Sequence, residues 1–233
     1  MLHYRHVIAV RNKWTVFWII LTLGTTCHLN AQTVESRNGN IWIIQGDGAA
    51  MQLTTTGLDA DPSLSLDRKT TIFVRKTNIQ AGFNEPIDPN PVETQIWTLN
   101  LNDPPNATMV FSGPLISNGS QYATFRKPAL SPNKKRAYFL IQLAVDEDGL
   151  VALDLGSKQA KVISSALEYY LIETGRGAGD VVVRKLTTEA LGFSRKYWLL
   201  TPDGRDLGLV GQTKEELQAF LTNPNRTLSD SRP

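Results

Sequence analysis

The chain has 233 residues, with 24 Lys and Arg against 22 Asp and Glu, 41% hydrophobic residues and one cysteine. Length and apolar content suffice for one self-supporting core, and a net charge of +2 is no footprint for nucleic acid or an anionic membrane surface. A lone cysteine excludes an internal disulfide framework.

Residues 1–31 read as an export signal. Arg5, Arg11 and Lys13 precede the apolar stretch 16–23, and small and polar residues lead to a cleavage point between Ala31 and Gln32. The apolar core is short for a membrane span. The alternative is an uncleaved segment that tethers the chain to a membrane. A lipid anchor on Cys27 is a weaker alternative, because Gly24-Thr25-Thr26 makes a poor lipobox. Cleavage removes His3, His6, His28 and Cys27, hence every histidine and the only cysteine. It also removes three of the 24 basic residues, so the mature chain carries 21 basic against 22 acidic side chains.

Residues 32–38 read as a short polar lead. A hairpin follows, with strands over 40–45 and 51–54 around Gly46-Asp47-Gly48, and Asp-Gly between apolar runs favours such a turn. Residues 61–74 read as strand, tight turn, strand. The segment 77–93 holds Gly82, Phe83, Pro86, Pro89 and Pro91 and is the longest irregular stretch. Strands over 94–101 and 107–111 come next, then a loop over 114–124 with Asn118-Gly119 and Tyr122, and Phe125 just beyond it. Residues 127–140, 148–155 and 159–163 make a second four-strand unit. A divergent third unit has strands over 167–172, 180–185, 196–200 and 206–210. Thr213 and Glu216 have the spacing of a capping box, Leu217, Phe220 and Leu221 share one helical face, and Asn223-Pro224 ends the helix. That face is expected to dock on the strands. Residues 224–233 read as a disordered tail.

Two of these segments repeat each other. Residues 61–74 align without a gap on residues 127–140, at an offset of 66. Pro62, Leu64, Ser65, Lys69 and Phe73 recur as Pro128, Leu130, Ser131, Lys135 and Phe139. Proline opens each first strand, where its missing N–H costs least. Asp67 and Asn133 suit a tight turn because their side chains bond nearby backbone. The apolar runs 72–74 and 137–140 suit strands buried on both faces.

With these residues in view, the sequence over 40–74 resembles the TolB-like β-propeller repeat: an Ile-Trp strand, an Asp-Gly turn, a Gln-Leu-Thr strand, then Pro-x-x-Ser and an apolar strand ending near Phe. The match is weaker over 94–164 and weakest over 165–211. Arg68 and Lys134 replace the turn glycine, and the Ser-Pro pair survives only as Ser131-Pro132. The resemblance implies an all-β chain, a small β-propeller-like fold of about three and a half to four blades with a short C-terminal helix. The units are a signal at 1–31, a propeller domain at 32–212, a helix at 213–223 and the tail at 224–233. One hairpin plus three four-strand units gives fourteen strands, so one blade position lacks its first strand pair.

No catalytic signature stands out. A Ser-His-Asp triad needs an imidazole, and the mature chain has none. Gly175–Gly179 lacks the lysine of a phosphate loop and precedes a strand. Asp146-Glu147-Asp148 lacks the spacing of a calcium loop and reads as an exposed turn. Asp59, Asp61, Glu173 and Asp180 are candidates for paired-acid chemistry, each read as a solvated turn residue. Trp42, Trp97 and Trp198 occupy equivalent hairpin positions and read as packing residues. Phe83, Tyr122 and Phe125 read either as partner anchors or as loop packing. The expected function is that of an exported, periplasmic or secreted, non-catalytic scaffold or inhibitor that binds another exported protein. No cofactor, metal, nucleic acid or membrane span after cleavage is expected, and the oligomeric state is open. The alternative is a carboxylate-dependent hydrolase or carbohydrate-binding propeller.

Overall fold

The computed structural model describes residues 32–81, 92–117, 119–144, 147–189 and 192–223. The expected signal at 1–31, with Ala31, lies outside the described residues. So do Phe83, Asn118 and the tail at 224–233.

Four antiparallel sheets follow one another along the chain. The first has β1 (Thr33–Arg37), β2 (Asn40–Ile44) and β3 (Ala50–Gln52). The second has β4 (Asp59–Leu64), β5 (Thr70–Gln80), β6 (Val92–Asn100) and β7 (Thr108–Ser112). A small ribbon, β8 (Leu115–Ser117) and β9 (Ser120–Tyr122), fills the connection to the third sheet. That sheet has β10 (Arg126–Leu130), β11 (Arg136–Ala144), β12 (Glu147–Asp154) and β13 (Ala160–Ser165). The fourth has β14 (Glu168–Leu171), β15 (Val181–Glu189), β16 (Gly192–Leu200) and β17 (Asp206–Gly211), and the helix α1 (Lys214–Thr222) closes the described chain. In every sheet, sequence order equals spatial order, as in the blades of a propeller.

The polar lead is a strand. Asn38 and Gly39 both have positive φ, 52° and 71°, the two-residue turn that Asn-Gly favours, and Arg37 pairs with Asn40 across it. The blades therefore hold fifteen strands among the described residues rather than fourteen. The missing strand is identifiable. Asp59 N–H donates to Gly39 O at 2.7 Å, so the β1–β2 turn lies beside the start of β4. β5, β11 and β15 run toward that same end of their own blades, and β6, β12 and β16 run back from it. Among the described residues, the first sheet thus lacks only the strand equivalent to β4, β10 and β14.

Alternation along each central strand builds the interfaces. Ile72, Val74 and Ile96 pack with Ala137, Phe139, Ile141, Val151 and Leu153 between blades two and three. Tyr138, Leu140 and Leu150 point the other way and pack with Val181, Val183 and Leu200 of blade four. Ile41 and Ile43 of blade one meet Phe73 and Leu99 of blade two. The far face of blade four, with Ile172, Val182, Tyr197 and Leu199, is covered by α1 through Leu217, with Phe220 and Leu221 packed alongside. No cluster of the described residues joins blade one to blade four, so the blades form an open arc. The capping box holds as expected. Glu216 N–H donates to Thr213 Oγ1 at 3.2 Å, and Thr213 N–H donates back to Glu216 Oε2 at 3.0 Å.

Candidate functional site

The repeat signature builds the turns at one end of the arc. Ser65 Oγ donates to Asp67 Oδ1 at 2.7 Å and accepts from Thr70 N–H at 3.0 Å. Ser131 Oγ does the same with Asn133 Oδ1 at 2.8 Å and Arg136 N–H at 3.0 Å. Arg68 and Lys134 sit at φ 55° and 54°, where the repeat otherwise carries glycine. The same turn recurs between β16 and β17. There Thr201 Oγ1 donates to Asp203 Oδ1 at 2.5 Å, Arg205 N–H donates to Thr201 Oγ1 at 3.0 Å, and Gly204 has φ 94°. Phe73 and Phe139, at equivalent positions, are both fully buried toward the preceding blade. These residues are structural, and they hold neighbouring turns together. Lys134 Nζ reaches Asp67 Oδ2 at 2.6 Å across the blade boundary. That bond, then the Ser65 hydroxyl, hold the Asp67 carboxyl well below the usual carboxylate range.

The first strands of blades two, three and four surround a cavity of about 510 Å³. Asp61, Ser63, Lys127, Glu168, Tyr170 and Glu173 lie on its wall. Asp61 and Lys127 repeat each other at φ 48° and 49°, and Lys127 N–H donates to Asp61 Oδ2 at 3.0 Å. Pro62 and Pro128 follow them on the same wall. Burial alone pushes Glu168 up, but the Tyr170 hydroxyl and Arg184, 3.0 Å from Glu168 Oε1, outweigh it and the carboxyl lies low. Burial, reinforced by the Glu168 hydrogen bond, pushes Tyr170 up to about 12.

The four acids proposed for chemistry separate. Asp61 and Glu173 reach the cavity wall. Asp180 lies in the β14–β15 turn, raised by burial against a smaller opposing pull from Arg205. Asp59 corrects its reading as a solvated turn residue. Its side chain is fully buried and takes bonds from Arg75 Nε at 2.6 Å and Nη2 at 3.1 Å. Asp148 likewise belongs to a strand, β12, and pairs with Arg126. No group of three or more His, Cys, Asp and Glu among the described residues is arranged to hold a metal.

Of the candidate anchors, Tyr122 and Phe125 are buried at 7% and 1% exposure. Phe125 packs with its ring tilted against Phe111 and Phe139, at centroid distances of 5.3 and 5.0 Å. Both rings pack the β8–β9 ribbon onto the core, as in the loop-packing alternative. Besides Met51, Leu58, Leu66 and Met109, the exposed apolar side chains that sequence reasoning missed include Ile79 at 59%, Ile116 at 68%, Leu186 at 41% and Phe193 at 74%. Ile79, Leu186 and Phe193 lie on β5, β15 and β16 at the blade ends opposite the repeat turns, and Ile116 lies on β8. Strand alternation placed at hairpin tips was the available signal. No helix among the described residues is long and apolar enough to cross a membrane.

No protein-family model and no curated protein matches the sequence. Among solved structures, the chain is similar to dipeptidyl peptidase 4 of Porphyromonas gingivalis, at 14% identity over 78% of this chain and 31% of that one, with a TM-score of 0.50. It is also similar to the β-propeller domain of the Trilobed protease from Pyrococcus furiosus, at 10% identity over 78% of this chain and 53% of that one, with a TM-score of 0.46. A third, TolB from Acinetobacter baumannii, shares 14% identity over 75% of this chain and 49% of that one, at a TM-score of 0.32. The chain spans less than a third of the peptidase and about half of the other two. At such identities the likeness is one of fold. The four-sheet arc makes the chain an all-β, β-propeller-like protein of nearly four blades among the described residues, with a short C-terminal helix.

Proposed function

We propose that the chain is an exported, non-catalytic propeller scaffold that holds another exported protein. The observation that carries this is the exposure of Ile79, Ile116, Leu186 and Phe193, with Leu186 and Phe193 on one face of the β15–β16 hairpin. Neighbouring exposed apolar side chains mark contact surfaces on soluble proteins. The resemblance of residues 40–74 to the TolB-like repeat supports the same reading. Cleavage after Ala31 delivers residues 32–233 outside the cytoplasm, and N-terminal sequencing of the exported protein should begin at Gln32. The reading is tested by capture from native periplasm on the immobilised mature chain. A stoichiometric protein partner lost with the Ile116→Ser/Phe193→Ser double variant supports it. Recovery of no partner sinks it.

One observation favours a second reading, sugar binding or carboxylate-driven hydrolysis in the axial cavity. Asp61, Glu173 and the Tyr170 ring share its wall. Release of product from chromogenic glycosides by the wild type, abolished in both Asp61→Asn and Glu173→Gln, would establish it in place of the scaffold.

A further inference from the structure

We infer that the outer face of the β15–β16 hairpin, past the edge of α1, is a docking strip for an acidic protein segment that carries an apolar side chain. This rests on the protein-binding reading and gives it a site and a partner chemistry.

The strip follows from strand alternation. β15 and β16 pair without a register shift from Val181↔Leu200 to Glu189↔Gly192. Val182, Arg184, Leu186 and Thr188 therefore share one face with Leu199, Tyr197, Arg195 and Phe193. Leu217 of α1 clusters with Ile172, Val182, Tyr197 and Leu199, all on the side of this face away from the hairpin tip. β17 ends with Gly211 opposite Tyr197, and the chain then turns back over the covered half. Beyond Arg184 the same face continues, and Leu186, Thr188, Phe193 and Arg195 on it are exposed. Its cross-strand pairs are Leu186↔Arg195 and Thr188↔Phe193. The strip thus extends an apolar face that the chain already covers with its own helix.

Charge selects the occupant. Three of the hairpin's four cations are paired: Arg184 with Glu168, Lys185 with Asp206 and Lys196 with Glu189. Arg195 is exposed and has no carboxylate within ion-pair reach among the described residues. It lies beside Leu186 and one residue pair from Phe193. A segment with a carboxylate next to an aliphatic or aromatic side chain would meet Arg195 with the charge and Phe193 with the apolar group. Arg–carboxylate pairing adds orientation to the apolar contact.

The test uses the full mature chain against a displayed random-peptide library, counter-selected on Phe193→Ser. Enriched peptides should carry Asp or Glu beside an apolar residue. A labelled enriched peptide should lose about tenfold or more in affinity against Phe193→Ser and against Arg195→Glu, a loss typical of a contact anchor. Both variants should keep the wild-type melting temperature. A basic consensus, or acidic peptides that bind both variants as tightly as wild type, would overturn the strip. So would wild-type dimers that either substitution dissociates, since the face would then be a self-contact. If the periplasmic capture yields a partner whose binding ignores Phe193 and Arg195, the strip fails while the scaffold reading stands.

Discussion

Asp59 and Arg75 face each other across β4 and β5, the carboxylate fully buried and the guanidinium lying 4.2 Å from the ring centroid of Trp97. The arrangement recurs. Lys185 lies 5.8 Å from the Trp198 ring and Arg37 lies 5.5 Å from that of Trp42. Each cation follows by two residues the one paired with its tryptophan, namely Val183, Glu35 and, for Arg75, Phe73. Only in blade two does a buried carboxylate complete the set.

Removing one partner of that pair strands a charge in the interior. Asp59→Ala and Arg75→Ala should each lower unfolding free energy by about 3–5 kcal/mol. The double variant should cost less than the two single losses combined. Denaturant melts of the three proteins check this, and strict additivity would mean that the pair is not coupled in solution.

The turn contact between Lys134 and Asp67 predicts a pH effect. A carboxyl held low in the folded state binds its proton less readily than in the unfolded chain. It therefore adds stability above its unfolded value, about 3.9, that is lost as pH falls toward the folded one. Lys134→Ala should move the Asp67 carboxyl back up and flatten this acid loss. Carbon NMR titration of the side chain reads the shift, and an unmoved midpoint would show that Lys134 does not set it.

Gly204 fills in the third copy of the turn the place that Arg68 and Lys134 fill in the first two. A Cβ there would stand 2.6 Å from Ile163 O, at φ 94°. Gly204→Ala should cost about 1–3 kcal/mol through backbone strain alone, with the collision added. A melting temperature equal to wild type would refute this.

The helix covers blade four through one fully committed side chain. Leu217→Ala should cost about 2–5 kcal/mol as a buried truncation, and Thr213→Ala about 1 kcal/mol as a lost cap. Both should speed amide exchange in α1 and β17 more than in β11, as exchange by mass spectrometry would show. Uniform acceleration through all blades would instead mean that the helix stabilises the arc as a whole.

The parts of this fold legible in the sequence were those fixed locally. The 66-residue echo, the Ser-x-Asp turns and the Thr213–Glu216 box each involve side chains a few residues apart, so spacing alone reveals them. β1 was hidden because Thr33–Arg37 is almost wholly polar and exposed, although Asn38-Gly39 announced its turn. The burial of Asp59 was hidden for another reason. Its partner lies sixteen residues away across a strand pair, and only the register of β4 on β5 brings them together. Tyr122 and Phe125 could be read as anchors or as packing until the β8–β9 ribbon turned both rings inward. The exposed rim was legible in principle, since Phe193 falls on the outward parity of its strand, but that parity depends on where the hairpin begins.

The open arc has an energetic meaning. Three hydrophobic clusters join consecutive blades and the fourth joins blade four to α1, so stability is carried by nearest-neighbour couplings along a short one-dimensional array. An interior unit in such an array is held from two sides and a terminal unit from one. α1 gives blade four a second neighbour, whereas no hydrophobic cluster of the described residues does so for blade one. Unfolding should then enter at the Thr33 end and move inward, unit by unit, like a zipper with one end stitched.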